Sequence, residues 1–119
     1  VLGSSIKTGA IIFARCLAGK VNSCKVDKTG RINSENNYGI QAGAHSLVDV
    51  TNNDISNITG GSNINAAIQC FQTSRIFSSN NTGNNNSIGL RTIAGTIMKN
   101  ESQPSGITAE SEHAGGVIR

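Results

Sequence analysis

Two carboxylates, Asp54 and Glu101, are the first candidates for chemistry in this chain of 119 residues. A pair of carboxyl groups about 6.5–9.5 Å apart lets one protonate a glycosidic oxygen while the other activates a water, as in inverting glycoside hydrolysis. Glu110 and Glu112, next but one to each other, would share a face of a strand and invite the same reading, against the plainer one of solvated side chains. Arg15 and Arg91 could contact an acidic glycan, and could equally serve as surface charges. His45 and His113 lie far apart with no cluster of ligands around either, and neither a nucleophile elbow nor a phosphate loop is present. No metal and no cofactor is therefore expected. Cys16, Cys24 and Cys70 make an odd count without Cys-x-x-Cys spacing; a Cys16–Cys24 bridge is conceivable, but free buried thiols are expected, which suits folding in a reducing cytoplasm.

What must position these residues is a repeat. The phrase Ala-Gly-x-Val/Ile occurs as AGKV at 18–21, AGTI at 94–97 and AGGV at 114–117. The step from Ile97 to Val117, taken backward from Ile97 and from Val21, lands on Phe77 and Val1, and Val50 divides the long gap between Val21 and Phe77. The apolar anchors are therefore Val1, Val21, Val50, Phe77, Ile97 and Val117. Five positions beyond them stand Ile6, Val26, Ile55, Thr82 and Ser102, mostly β-branched; ten before them stand Ile11, Ile40, Ala67 beside Ile68, Ser87 beside Ile88, and Ile107. Three beyond them lie Ser4, Cys24, Asn53, Asn80 and Asn100. A period of about 20–29 residues without helical leucine spacing, built of short apolar runs broken by Gly, Asn and Ser, reads as stacked strands and turns. Equivalent residues of successive units then sit about 4.8 Å apart, and Asn53, Asn80 and Asn100 are expected to form a side-chain ladder inside one turn.

The coil length, the in-turn asparagines and the openings Gly39-Ile40, Gly89-Leu90 and Gly106-Ile107 resemble the right-handed parallel β-helix superfamily of pectate lyases and phage tail spikes, over nearly the whole chain. The fold expected is all-β, a right-handed parallel β-helix (β-solenoid) of about five coils, with residues 1–119 as a single segment. Because the chain starts on an anchor and stops two residues past one, with no capping element, the expectation is a slice of a longer chain that would be marginal on its own. In this register the column four past the anchors reads Ser5, Lys25, Asp54, Asn81, Glu101. That puts Asp54 and Glu101 two coils, roughly 9.6 Å, apart. Lys25 beneath Asp54 supplies the plainer account, an ion pair worth about 1 kcal/mol or less. The two longer coils, Val21 to Val50 and Val50 to Phe77, carry insertions, DKTGRINSENNYG from Asp27 and SNITGGSNINA from Ser56, and loops on a rigid scaffold are where binding function sits. Asn36 and Asn63 in these insertions are candidates for hydrogen bonds to sugar hydroxyls, with solvated turns as the plain alternative.

A net charge of +3 without a basic stripe or stacking aromatics argues against nucleic acid, and the chain has no apolar stretch of the about 20 residues that span a membrane. The resemblance implies a structural and receptor-binding segment of a phage tail spike, a homotrimer in the virion that recognises a host surface polysaccharide. The alternatives are a polysaccharide-degrading glycosidase or lyase, for which this segment offers no full catalytic set, and a bacterial surface adhesin.

Overall fold

The computed structural model describes residues 9–27, 37–59 and 65–119. Among these, short runs of β-branched and apolar residues form twelve strands and no helix: β1 (Gly9–Ala14), β2 (Gly19–Asn22), β3 (Lys25–Asp27), β4 (Tyr38–Gly43), β5 (Leu47–Thr51), β6 (Asp54–Ser56), β7 (Ala66–Phe71), β8 (Arg75–Ser79), β9 (Asn86–Ile93), β10 (Thr96–Asn100), β11 (Gly106–His113) and β12 (Val117–Ile118). Every strand pairing is parallel. The first sheet has the order β1-β4-β7-β9-β11, the second β2-β5-β8-β10-β12, and the third is β3-β6, continued by an isolated bridge from Asp54 to Thr82. The chain visits the sheets in rotation, and each visit lays a strand on the one laid by the previous circuit. The all-β expectation holds.

The anchor column does not hold as drawn. In the second sheet Gly19, Val48, Ile76, Ile97 and Ile118 are in register, and beside them Val21, Val50, Ser78 and Lys99. Along the first of these columns the step from Gly19 to Val48 matches the expected one, and each of the three later steps is longer by a single position. A slip of one position reverses the face of a strand and a slip of two restores it. Phe77 therefore points outward at 40% exposure, while Ile97 is buried in the neighbouring inward column and Val117 is half-buried. Val1, Ser4, Ser5 and Ile6 lie outside the described residues. Ile107 of the expected apolar column is 94% exposed and Ile88 falls in register with Ala66, whereas Ile11, Ile40 and Ile68 do align and are continued by Leu90. Replacing Phe77 by serine should change stability by no more than about 0.5 kcal/mol, as for other surface positions. A loss of several kcal/mol in a denaturant titration of that variant would show that the side chain faces inward after all.

The turns explain why asparagine and serine recur. Ser23, Asn52, Asn80 and Glu101, at one corner of successive circuits, have φ of 57°, 56°, 52° and 57°, a left-handed conformation that asparagine tolerates. At the next position Asn53 and Asn81 are turned inside, while Cys24 and Ser102 are exposed: Cys24 N–H donates to Asn53 Oδ1 (2.9 Å), Asn53 N–H and Nδ2 both donate to Asn81 Oδ1 (3.0 Å each), and Asn81 Nδ2 donates to Val50 O (2.8 Å). The buried ladder is thus Asn53 and Asn81; Asn80 and Asn100 are exposed and stand outside it. A serine counterpart occupies the corner after the first sheet, where Cys16 N–H donates to Ser46 Oγ (3.1 Å) and Ser46 N–H to Ser74 Oγ (2.9 Å). Bonds of this kind satisfy backbone groups that a turn takes out of the sheet ladders.

Between the sheets lies one apolar core of Ile40, Val48, Val50, Ile55, Ile58, Ile68, Ile76, Leu90 and Ile97, with Val26 and Cys70 among its members. Its inward columns turn polar along the stack: Val21 and Val50 give way to Ser78 and Lys99, and Ile40, Ile68 and Leu90 to Glu110. Lys99 and Glu110 form an ion pair there, and Glu112 accepts from Ile118 N–H at 2.5 Å. Glu110 and Glu112 are exposed, as expected, yet occupy inward columns at the polar end of the core. Cys16, Cys24 and Cys70 are all unpaired, but only Cys70 is buried as expected; Cys16 is half-buried and Cys24, at a turn on the surface, is exposed.

Candidate functional site: a polar groove over the third sheet

The third sheet is short and its outward side chains are hydrophilic, because the alternation that buries Val26 and Ile55 turns Lys25 to solvent and leaves Asp27 and Asp54 partly exposed on the other face, with Ser56 more deeply set. Lys25, Asp54 and Thr82 form one row, with Asp54 in register with both of the others. Asp27 and Ser56 form a second, continued by Asn84, whose N–H donates to Ser56 Oγ (3.1 Å). On one side runs an exposed chain of amides: Asn52 Nδ2 donates to Asn22 Oδ1 (3.0 Å), Asn80 Nδ2 to Asn52 Oδ1 (2.7 Å), and Ser102 Oγ to Asn80 Oδ1 (3.2 Å). On the other, Asn57 Nδ2 donates to Asp27 Oδ1 (2.9 Å) and Asn85 Nδ2 to Asn57 Oδ1 (2.8 Å). Two amide rails thus flank a polar floor, and the floor and the asparagines beside it line an open groove along the stack.

The rails present amide oxygens, and the floor carries carboxylate, hydroxyl and ammonium groups, along the groove. They repeat at the strand spacing of about 4.8 Å, which suits an extended ligand dense in hydroxyl groups. The buried Asn53–Asn81 pair beneath one rail holds its turn in place, so the groups are fixed by the scaffold rather than presented by loose side chains.

Asp54 lies on the groove floor, above Lys25 as the sequence suggested, and its Oδ1 accepts from Ser56 Oγ (2.9 Å). Glu101 does not share its column. It follows Asn100, which is in register with Ser79, so it falls at the turn position of Asn52 and Asn80, and its Oε2 accepts from Ser79 Oγ (3.2 Å). The slip that turned Phe77 outward, repeated in the next circuit, separates these two carboxylates by two positions. Arg15 and Arg91 are not equivalent either: Arg15 is exposed at the corner after β1, whereas Arg91 is buried on the outer side of β9. His45 contacts Thr73 Oγ1 at that corner, and His113 contacts Ser111 Oγ at 2.7 Å on β11, so the two histidines are held apart. Asn36 and Asn63 lie outside the described residues, as do most of the two insertions. Among the described residues no three His, Cys, Asp or Glu side chains come together to hold a metal ion, and no helix is long and apolar enough to cross a membrane.

The groove residues missed from the sequence are Asn52, Asn57, Thr82 and Asn85. The signal for them was a second repeat, in which TNNDISN at 51–57 aligns with SNNTGNN at 79–85. Comparison of the chain with family models, with curated proteins and with solved structures finds no match.

Proposed function

We propose that the three parallel sheets are the faces of a right-handed parallel β-helix of about five coils, and that the chain is a structural and receptor-binding segment of a bacteriophage tail spike or appendage that recognises a host cell-surface polysaccharide. Rotation of the chain through the sheets, with each strand paired to the neighbouring circuits, supports the fold reading. The observation that carries the function is the groove with its amide rails, a rigid, repeating array of hydrogen-bonding groups without an enclosed apolar pocket. In this reading the protein acts as a homotrimer in the virion, having folded in the host cytoplasm with its thiols free.

Thr82 is exposed on the groove floor and its side chain makes only a long bond to Asn53 O (3.5 Å), so a tryptophan there should block the groove without unfolding the chain. Thr82→Trp is expected to weaken binding to bacterial envelope polysaccharide at least about tenfold, a change of roughly 1.4 kcal/mol, in calorimetry. Equal binding by a folded Thr82→Trp protein, or no binding by the wild type across a panel of envelope polysaccharides, would sink the reading.

A second reading, a glycosidase, draws on a different carboxylate pair from the one expected. Asp27 and Asp54 line the same groove on adjacent strands, two positions out of register. Chain cleavage by the wild type that is lost in Asp54→Asn would favour it.

A further inference from the structure

The outer face of the first sheet poses a problem of charge. Ile12, Gln41, Gln69, Arg91 and Ser111 are in register across its five strands. They alternate with the inward residues of each strand and so project from the opposite side. The middle of this stripe is buried: Gln41 is 8% exposed, Gln69 3% and Arg91 5%, with Tyr38 close by at 6%. Its ends are open, since Ile12 is 49% exposed and Ser111 half-buried.

Arg91 Nη1 donates to Gln69 Oε1 at 2.5 Å, and among the described residues its Nε–H meets no acceptor and its guanidinium no carboxylate. Taking a charged group out of water with a single neutral amide as partner is unfavourable unless something else answers the charge. Burial pulls the Arg91 pKa down, with Tyr38 opposing weakly, but a guanidinium stays protonated at physiological pH and the charge remains. The side of a guanidinium left open by the Gln69 bond is the edge that bears Nε–H, and such an edge matches the two oxygens of a carboxylate.

We infer that this stripe is a seat for a carboxylate, so that the polysaccharide recognised is an acidic one. The identity of the molecule that carries the carboxylate rests on the glycan reading above; the seat itself rests on Arg91. One carboxylate oxygen accepts from Nε–H and the other from the adjacent Nη2, while the hydroxyl of Ser111, on the next strand, is held by His113 Nε2. Entry is from the β11 side, where the stripe opens.

The test compares a glucuronate-containing oligosaccharide with the same oligosaccharide after reduction of its carboxylates to alcohols. The acidic form should bind the wild type at least about tenfold more tightly, in line with a charge-assisted two-point bond, and should shift the Arg91 Nε–H resonance. Arg91→Gln should abolish the difference between the two forms, and Arg91→Lys, which keeps the charge but lacks the fork, should recover little of it. Equal binding of both forms by the wild type, or a difference that survives in folded Arg91→Gln, overturns the inference. If neither oligosaccharide binds but free glucuronate shifts the Nε–H resonance, the glycan reading fails and the seat stands. If free glucuronate leaves that resonance in place as well, the seat is overturned without recourse to any variant.

Discussion

Replacing Asn81 by leucine is expected to remove about 1–3 kcal/mol of stability, from one buried N–H left without a partner. Asn81 is fully buried, and its Oδ1 is the acceptor for both the backbone N–H and the Nδ2 of Asn53, while its own Nδ2 serves Val50 O. Leucine fills similar space but orphans Asn53 N–H; Val50 O keeps Ser79 N–H of the strand ladder, Asn53 Nδ2 keeps Val21 O and Ser78 Oγ keeps Gln103, so the loss is confined. The adjacent Asn80 is the control. It is exposed, and its φ of 52° suits glycine, so Asn80→Gly should cost less than about 1 kcal/mol. Denaturant midpoints of the two variants decide it, and a smaller loss for Asn81→Leu than for Asn80→Gly would remove the buried ladder as a source of stability.

The second large effect is a loss of stability in alkali. Burial raises the Cys70 thiol from its ordinary 9.0 to about 11, with backbone hydrogen bonds at Thr96 and Ile76 pulling weakly the other way. The raised folded-state pKa means that the folded chain holds this proton more tightly than the unfolded one. Stability is therefore unaffected below about pH 9 and falls between pH 9 and 11, by about 2–3 kcal/mol for two pKa units at 1.36 kcal/mol each. Other groups titrate in that range, so the measurement is the difference between the wild type and Cys70→Ser. The serine keeps a hydroxyl for the bond that Cys70 Sγ gives Ser74 O and does not ionise. Parallel pH profiles of unfolding free energy for the two proteins would contradict the assignment.

Strands, turns and their stacking were legible in the sequence because they rest on short-range chemistry: β-branched runs at Val26 and Ile55, asparagines where the backbone turns left-handed, and circuits of unequal length. The register was not, because each circuit after Val50 is one position longer than the repeated phrase implies, and the corners themselves differ in length. The turn from Phe71 to Arg75 spans four steps and the corresponding turn from Ile93 to Thr96 only three, so the two sheets differ in their circuit lengths. Composition does not reveal which corner is short. Gly95 marks it, since a Cβ there would meet Cys70 Sγ at 2.9 Å. A different displacement, the one position by which each circuit after Val50 exceeds the expected step, accounts for Phe77 outside, Asn81 rather than Asn80 inside, and Glu101 off the column of Asp54. The groove depended on this register, so its rails were hidden along with it, although the match between 51–57 and 79–85 contained them. The buried state of Arg91 was beyond reach, because it depends on which face of β9 is outward and how closely that face is covered.

The passage of the core from Val21 and Val50 to Ser78 and Lys99, and from Leu90 to Glu110, gives the stack a direction in time as well as in space. Where units touch only their neighbours, assembly starts in the units that gain most and spreads outward. The circuits from β4 to β8 hold Ile40, Ile55, Ile68 and Ile76, which drive collapse without needing a partner in a set orientation. Lys99 and Glu110 gain from meeting only when an ordered neighbour already holds them in place, since a loose ion pair in water is worth little. The apolar circuits are thus the template and the polar ones the late additions, so a chain interrupted during folding would have its β4–β8 layers formed while β10–β12 still exchanged with solvent.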